Sequence, residues 1–174
     1  MIDLAGGKAV DSLDGRSLLP VLLQATDTHH TYVYGTSSKD GRKTDYPIKA
    51  IRTSRYKYIV NPEFEETYTS WITDSMLGTR WPGYDRHYGY WLTWMAAAHT
   101  DARAKKLVND YLHRPAEELY DLTADPDEQH NIANEPAVHD IKLDLRQRLK
   151  QWMITQQDVH YSEAFFASLP SPNF

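Results

Sequence analysis

The stretch "EELYDLTADPDEQHNIA", Glu117–Ala133, decides how this chain folds. Its opening "EELYDL" reads as a short strand. Asp125-Pro126-Asp127-Glu128 then places Asp first and Pro second in a type I turn. Beyond it, Asn134 is placed to cap a long final helix. The apolar residues of that helix, Val138, Ile141, Leu145, Leu149, Trp152 and Met153, recur at helical spacing. The same stretch also gathers oxygen donors at Asp121, Asp125, Asp127, Glu128 and Gln129, with His130 beside them, so it competes as a metal or catalytic site. An EF-hand loop counted from Asp125 would put His130 where glycine is required and Pro136 where the closing glutamate is required. A pair of catalytic carboxylates needs a cleft, and a hairpin-like turn offers none. Turn chemistry accounts for the acids: Asp125 accepts from backbone amides of its own turn, and Pro126 pre-sets φ.

Working upstream, "YPIKAIRTSRYKYIVN", Tyr46–Asn61, gives two strand-like runs, Ile48–Thr53 and Tyr56–Val60, joined tightly at Ser54-Arg55. Alternation of Tyr56, Tyr58 and Val60 with Lys57 and Ile59 predicts a sheet with one wetter face. "TYVYGT", Thr31–Thr36, is a further strand, and Ser37–Asp45 a polar loop with Asp40-Gly41 at its tip. Residues 62–99 lack a clean period and are rich in aromatics. Thr100 is read as the cap of a helix running to Leu112. The tail from Ser168 reads as extended. The fold class is α+β, with a small antiparallel β-sheet packed against a long C-terminal helix and further helices.

At 174 residues the chain is long enough for one domain burying roughly 70% of its unfolded surface. A net charge of −5 provides no field favouring nucleic acid or an anionic membrane. No apolar run approaches the length of a transmembrane helix. With no cysteine there is neither a disulfide framework nor a thiolate zinc site, and no compartment is implied. Met1–Ala5 reads as the end of a helix capped by Gly6-Gly7, which is expected of a piece cut from a longer chain.

Three motifs resemble the sulfatase family. "DLAGGKAVDSLDGRSLLPVLL", Asp3–Leu23, resembles the D-x-A-G and D-G-x-S-L-x-P-x-L segment that follows the catalytic half of sulfatases. "YPIKAIRTSRYKYIVN" looks like the hairpin of their C-terminal subdomain. "EELYDLTADPDEQHNIA" is similar to the E-L-Y-D-L-x-x-D-P-x-E-x-x-N-L-A signature before that subdomain's last helix. "YVYGTSSKDGRKTDYPIKAIR" and "WPGYDRHYGYW" point toward the sulfamidases (N-sulfoglucosamine sulfohydrolases) and their bacterial homologues.

The resemblance implies residues 1–30 as a linker after a catalytic domain and residues 31–174 as the C-terminal subdomain. It implies an enzyme by family, hydrolysing sulfate esters or N-sulfates, in which this chain by itself is inactive. Formylglycine made from a Cys/Ser-x-Pro/Ala-x-Arg motif, and calcium held by Asp and Asn or Gln, belong to the other domain. Ser168-Leu169-Pro170 is followed by Ser171-Pro172 and lacks the arginine, so no catalytic residue and no metal ligand carries over. Expected partners are the parent catalytic domain and a sulfated carbohydrate, with a homodimer as an alternative, and neither nucleic acid nor membrane.

The substrate-binding candidates lie in the loop Thr36–Lys43, where the hydroxyls of Thr36, Ser37 and Ser38 and the cations Lys39, Arg42 and Lys43 suit a sulfated or uronic sugar through charge-assisted hydrogen bonds. Trp81, Tyr84 and His87 are candidates for an aromatic rim under a sugar ring. His29-His30 is no zinc site, because adjacent strand residues face opposite ways. Lys142, Arg146, Arg148 and Lys150 read as a solvated face of the last helix, balanced by Asp140 and Asp144. Two competing readings stay open: a free-standing carbohydrate-binding module and a dimerisation module. A subdomain without its partner is also expected to expose apolar surface.

Overall fold

The computed structural model describes residues 2–8, 13, 15–38, 46–70, 73 and 85–170, with backbone only over 85–89. The chain divides into two compact units, Met1–Val33 and Tyr34–Phe174.

The first unit has little regular structure. A 3-10 turn at Asp3–Ala5 ends at Gly6, whose φ of 75° lets its N–H return to the Asp3 carbonyl; only glycine takes that conformation without steric cost. A four-residue helix, α1 (Leu19–Leu22), begins with Pro20 in its first turn, where a missing N–H costs nothing. None of the described residues of this unit is buried. Leu13, Leu18, Leu22 and Leu23 are between 49% and 69% exposed, so the described residues of this segment form no core of their own.

The second unit is built on a four-stranded sheet of order β1-β2-β3-β4: β1 (Val33–Ser37), β2 (Ile48–Arg52), β3 (Tyr56–Val60) and β4 (Glu117–Asp121). The β2–β3 and β3–β4 ladders are antiparallel. Thr53 makes the tight β2–β3 turn. Its hydroxyl accepts from the Arg55 and Tyr56 amides, and its own N–H reaches the Tyr56 carbonyl at 2.8 Å. That pins the register, in which Ile51 pairs with Tyr58 and Tyr58 with Leu119. The three form a transverse row on one face, and none is accessible to solvent.

Over that row lies the long helix α4 (His139–Thr155), packed on β2 and β3. Leu145, Leu149 and Met153 are its buried apolar positions, with Val138 just ahead of it. Burial of each such side chain stabilises the unit by about 1.5–3 kcal/mol. Asn134 does not cap α4. A 3-10 turn at Pro136–Val138 leads into it instead, and the helix starts with no side-chain cap.

The expected wetter face is not found at β3, where Tyr58, Ile59 and Val60 are all buried. Ile59 shares its face with Ala50 and Glu118, and a second layer forms on that side. Arg114 connects the two, 3.2 Å from Glu118 and 5.9 Å over the Tyr68 ring. Rings then follow in contact from Tyr46 to Tyr68, Tyr111 and Trp91, at 5.1, 5.4 and 4.9 Å.

Trp91 belongs to α2 (Asp85–Ala97) and Tyr111 to α3 (Ala102–Leu112). The aperiodic reading of residues 62–99 therefore misses α2. Apolar residues occupy Tyr90, Trp91, Leu92, Trp94 and Met95, too many directions to mark a stripe, yet only Trp91 among them is buried. The cap of α3 is Asp101, whose carboxylate accepts from the Ala104 amide at 2.8 Å, one residue after the expected Thr100. The tail is not wholly extended. Ser162 caps a short helix, α5 (Glu163–Ser168), whose Phe166 is buried; residues 171–174 lie outside the described ones. No helix among the described residues is long and apolar enough to cross a membrane.

Candidate functional site

Each acid of the 121–131 turn with a resolved partner is used within the fold. Asp121 accepts two hydrogen bonds from the Arg55 guanidinium, at 3.0 and 2.7 Å, and one from the Thr123 amide. Arg55 first, then those turn amides, hold its carboxyl below the usual range. Asp125 accepts from the His130 amide at 2.8 Å, and this bond with that from Gln129 lowers its carboxyl likewise. Glu128, at a left-handed φ of 54°, meets Lys57 at 2.6 Å. Asn131 does something the sequence reading did not foresee. Its side chain accepts from the Leu119 amide at 2.9 Å and donates to the Glu117 carbonyl at 3.1 Å. The Ile132 amide reaches the Leu119 carbonyl at 2.9 Å. Together they occupy the outer edge of β4, and the turn is a seal rather than a site.

β4 also carries two adjacent buried carboxylates on opposite faces. Glu117 receives two bonds from Arg146, at 2.8 and 2.7 Å, and one from the Tyr58 hydroxyl, with Lys142 at 3.9 Å. Glu118 receives Asn61 at 2.7 Å, Tyr120 at 2.6 Å and Arg114 at 3.2 Å. Burial, followed by the neighbouring carboxylates, pushes the Tyr58 and Tyr120 hydroxyls far above their ordinary value, so both remain donors. Buried carboxylates this completely answered are structural. The solvated basic face expected on the last helix is accordingly half wrong. Lys142 and Arg146 turn inward to Glu117, while Arg148 pairs with Asp144 at the surface.

The third cluster lies in the same transverse row as Glu117, on the β2 side of Val60. Lys49 of β2 is 2% exposed and its ammonium has three partners. These are Asp158 at 2.7 Å, the Thr36 hydroxyl at 2.7 Å and the Ser38 hydroxyl at 3.3 Å. Burial tends to raise the Asp158 carboxyl, but the Lys49 hydrogen bond and the His160 amide outweigh it and hold the carboxyl below the usual range. Tyr34, two residues before Thr36 on the same face, stacks on Trp152 of α4 with ring centroids 4.8 Å apart.

Of the substrate-binding candidates, Thr36 and Ser38 join the Lys49 cluster, whereas Ser37 is on the opposite face of β1 by strand alternation. Lys39, Arg42, Lys43, Trp81 and Tyr84 lie outside the described residues. His87 falls in α2, where only the backbone is described. His29 and His30 sit edge to face, 4.1 Å between ring centroids, and the His29 Nε2 is 3.1 Å from the Ser17 carbonyl. Among the described residues no group of three or more His, Cys, Asp or Glu side chains could hold a metal ion. The Ser168 hydroxyl is bonded to the Phe165 carbonyl at 2.8 Å inside α5.

Known proteins agree with this fold. The chain is 34% identical over 161 residues to an ulvan-active sulfatase of Formosa agariphila, a match covering 91% of this chain and 28% of that protein. It is homologous to sulfatases. Human N-sulphoglucosamine sulphohydrolase is 26% identical over 88% of this chain and 28% of its own length. The solved structure of a 2-O GAG sulfatase superposes with a TM-score of 0.55 at 22% identity, over 90% of this chain and 23% of that one. No protein-family model matches the chain. The chain spans little more than a quarter of the curated sulfatases it matches, which fits a C-terminal sulfatase subdomain of α+β fold.

Proposed function

We propose that this chain is the C-terminal portion of a hydrolase that removes sulfate-ester or N-sulfate groups from sulfated sugars. In this reading it supplies a substrate-rim loop and a domain interface, and the nucleophile and metal site belong to a separate catalytic domain. The observation that carries the reading is the extent of the match: nine tenths of this chain corresponds to about a quarter of an ulvan-active sulfatase. The relatives' names, an ulvan-active sulfatase, an N-sulphoglucosamine sulphohydrolase and a 2-O GAG sulfatase, support the substrate class.

The rim loop runs from Ser37 and Ser38 through Lys39, Arg42 and Lys43, with Trp81, Tyr84 and His87 as a second, aromatic contribution. Leu18, Leu22 and Leu23, all at least half exposed in a unit whose described residues form no core, are the residues for the interface with the catalytic domain. Two measurements test the proposal. The full chain, with calcium, is expected to turn over neither an aryl sulfate nor an N-sulfated glucosamine; turnover of either would overturn it. Backbone amide shifts of the same chain should respond to a sulfated glycosaminoglycan disaccharide at residues 36–43, and an unresponsive loop would remove the rim role.

A further inference from the structure

The Lys49 cluster has a property that its role as a buried ion pair does not require. An ammonium has three protons and no acceptor, and here all three are directed, to Asp158, Thr36 and Ser38. Each hydroxyl therefore receives a proton on its oxygen and keeps its own O–H to donate elsewhere. The two oxygens are 3.5 Å apart, at the outer limit of a hydrogen bond, so they satisfy each other poorly. Both residues are exposed, although the ammonium beneath them is not. A hydroxyl that accepts from a cation is also a stronger donor, because the bonds polarise one another.

We propose that Thr36 and Ser38 form a paired-hydroxyl site for an oxyanion carried by a sugar, and that Lys49 is the positioning residue that aims their protons outward. Asp158 fixes the ammonium from below, so the position of the pair depends on the segment that follows α4. The cation stays buried and never touches the ligand. A sulfate oxygen or a uronate carboxylate oxygen meets two neutral donors with a positive charge behind them. The inference rests on the rim reading and assigns it a ligand class, two contact residues and one residue beneath them.

The test is a titration of the full chain, followed by amide chemical shifts, with N-sulfated glucosamine, glucuronate and unsubstituted glucosamine. Shifts centred on Thr36 and Ser38 are expected with the first or second ligand and absent with the third; equal shifts with glucosamine would overturn the site. Thr36→Val and Ser38→Ala, both exposed positions, should each weaken binding at least about tenfold, the effect of one lost hydrogen bond to a charged group. If wild-type binding persists unchanged in both variants, this site is wrong while the rim reading stands. If the wild type binds neither anionic ligand, both fall.

Lys49 is tested by the neutral pair Lys49→Met with Asp158→Asn, which avoids stranding a charge, and by Lys49→Arg. The neutral pair should unfold near the wild-type temperature yet bind as weakly as Thr36→Val, and Lys49→Arg should retain binding. Full binding in the neutral pair would reduce Lys49 to a structural cation.

Discussion

The two sides of the sheet bury charge in different ways. At β4, Glu117 is met by the Arg146 guanidinium in a two-bond fork and Glu118 by a single contact from Arg114, with Tyr58, Tyr120 and Asn61 as further donors. The strand's outer edge is occupied as well, by Asn131 and Ile132. At β1 the buried group is a single ammonium. It faces one carboxylate and two hydroxyls on a strand whose residues, apart from Tyr34, are exposed. A planar fork between two layers fixes geometry, while a point charge under rotatable hydroxyls leaves them free to answer something outside. One side of this sheet closes its buried charge within the fold, and the other leaves the Thr36 and Ser38 hydroxyls exposed.

Substitutions sharpen the contrast. Arg146→Met should have the largest effect, because Glu117 would remain buried with Tyr58 and a distant Lys142; about 3–5 kcal/mol is expected from urea unfolding. Lys49→Met should cost about 3 kcal/mol for the same reason, most of it recovered when Asp158→Asn is added. The single variant also predicts a change of sign with pH. In the wild type the Asp158 carboxyl is held below its ordinary value of 3.8, so its stabilisation is full above that pH and fades as pH falls through the folded value. Without the ammonium, burial is left to raise the carboxyl, and stability should then rise as the medium is acidified toward about pH 4. Urea midpoints measured across that range distinguish the two slopes, and parallel slopes would mean that Lys49 does not control Asp158.

Asn131→Ala leaves the Leu119 amide without its acceptor at the β4 edge and should cost about 1–2 kcal/mol, with faster amide exchange at Leu119. Arg55→Ala should change least, since the Arg55 side chain of that pair is 60% exposed. A loss in Arg55→Ala as large as that in Arg146→Met would erase the distinction between answered buried charge and surface charge.

Much of the sheet was legible in the sequence because its signals are local. Thr53 to Tyr56 contains its own turn chemistry, and Asp125-Pro126 contains another. α4 shows its stripe because Leu145, Leu149 and Met153 pack one way and little else competes. What failed was non-local. Lys142 and Arg146 look like solvated helix residues until Glu117, far back in the chain, is brought beneath them. Lys49 falls inside a strand-like run, and nothing near it in sequence announces Asp158. α2 was hidden by an excess of apolar residues rather than a shortage. Asn131 was visible as a motif position, but its task requires a strand edge that only folding supplies. At the loop, the hydroxyls Thr36 and Ser38 were visible in the sequence, while Lys49, which meets both, was not.

The occupied edge of β4 has a consequence for how copies of this protein can meet. Growth of a cross-strand filament needs two receptive edges on every copy, one to accept and one to extend. Here the Asn131 amide and the Ile132 N–H already hold the bonds that an incoming strand would have to make. Whatever pairs with β1, the chain of strands has no way to continue through β4. Strand addition at β4 is therefore blocked, and a sequence motif that first resembles a metal loop closes that edge of the sheet.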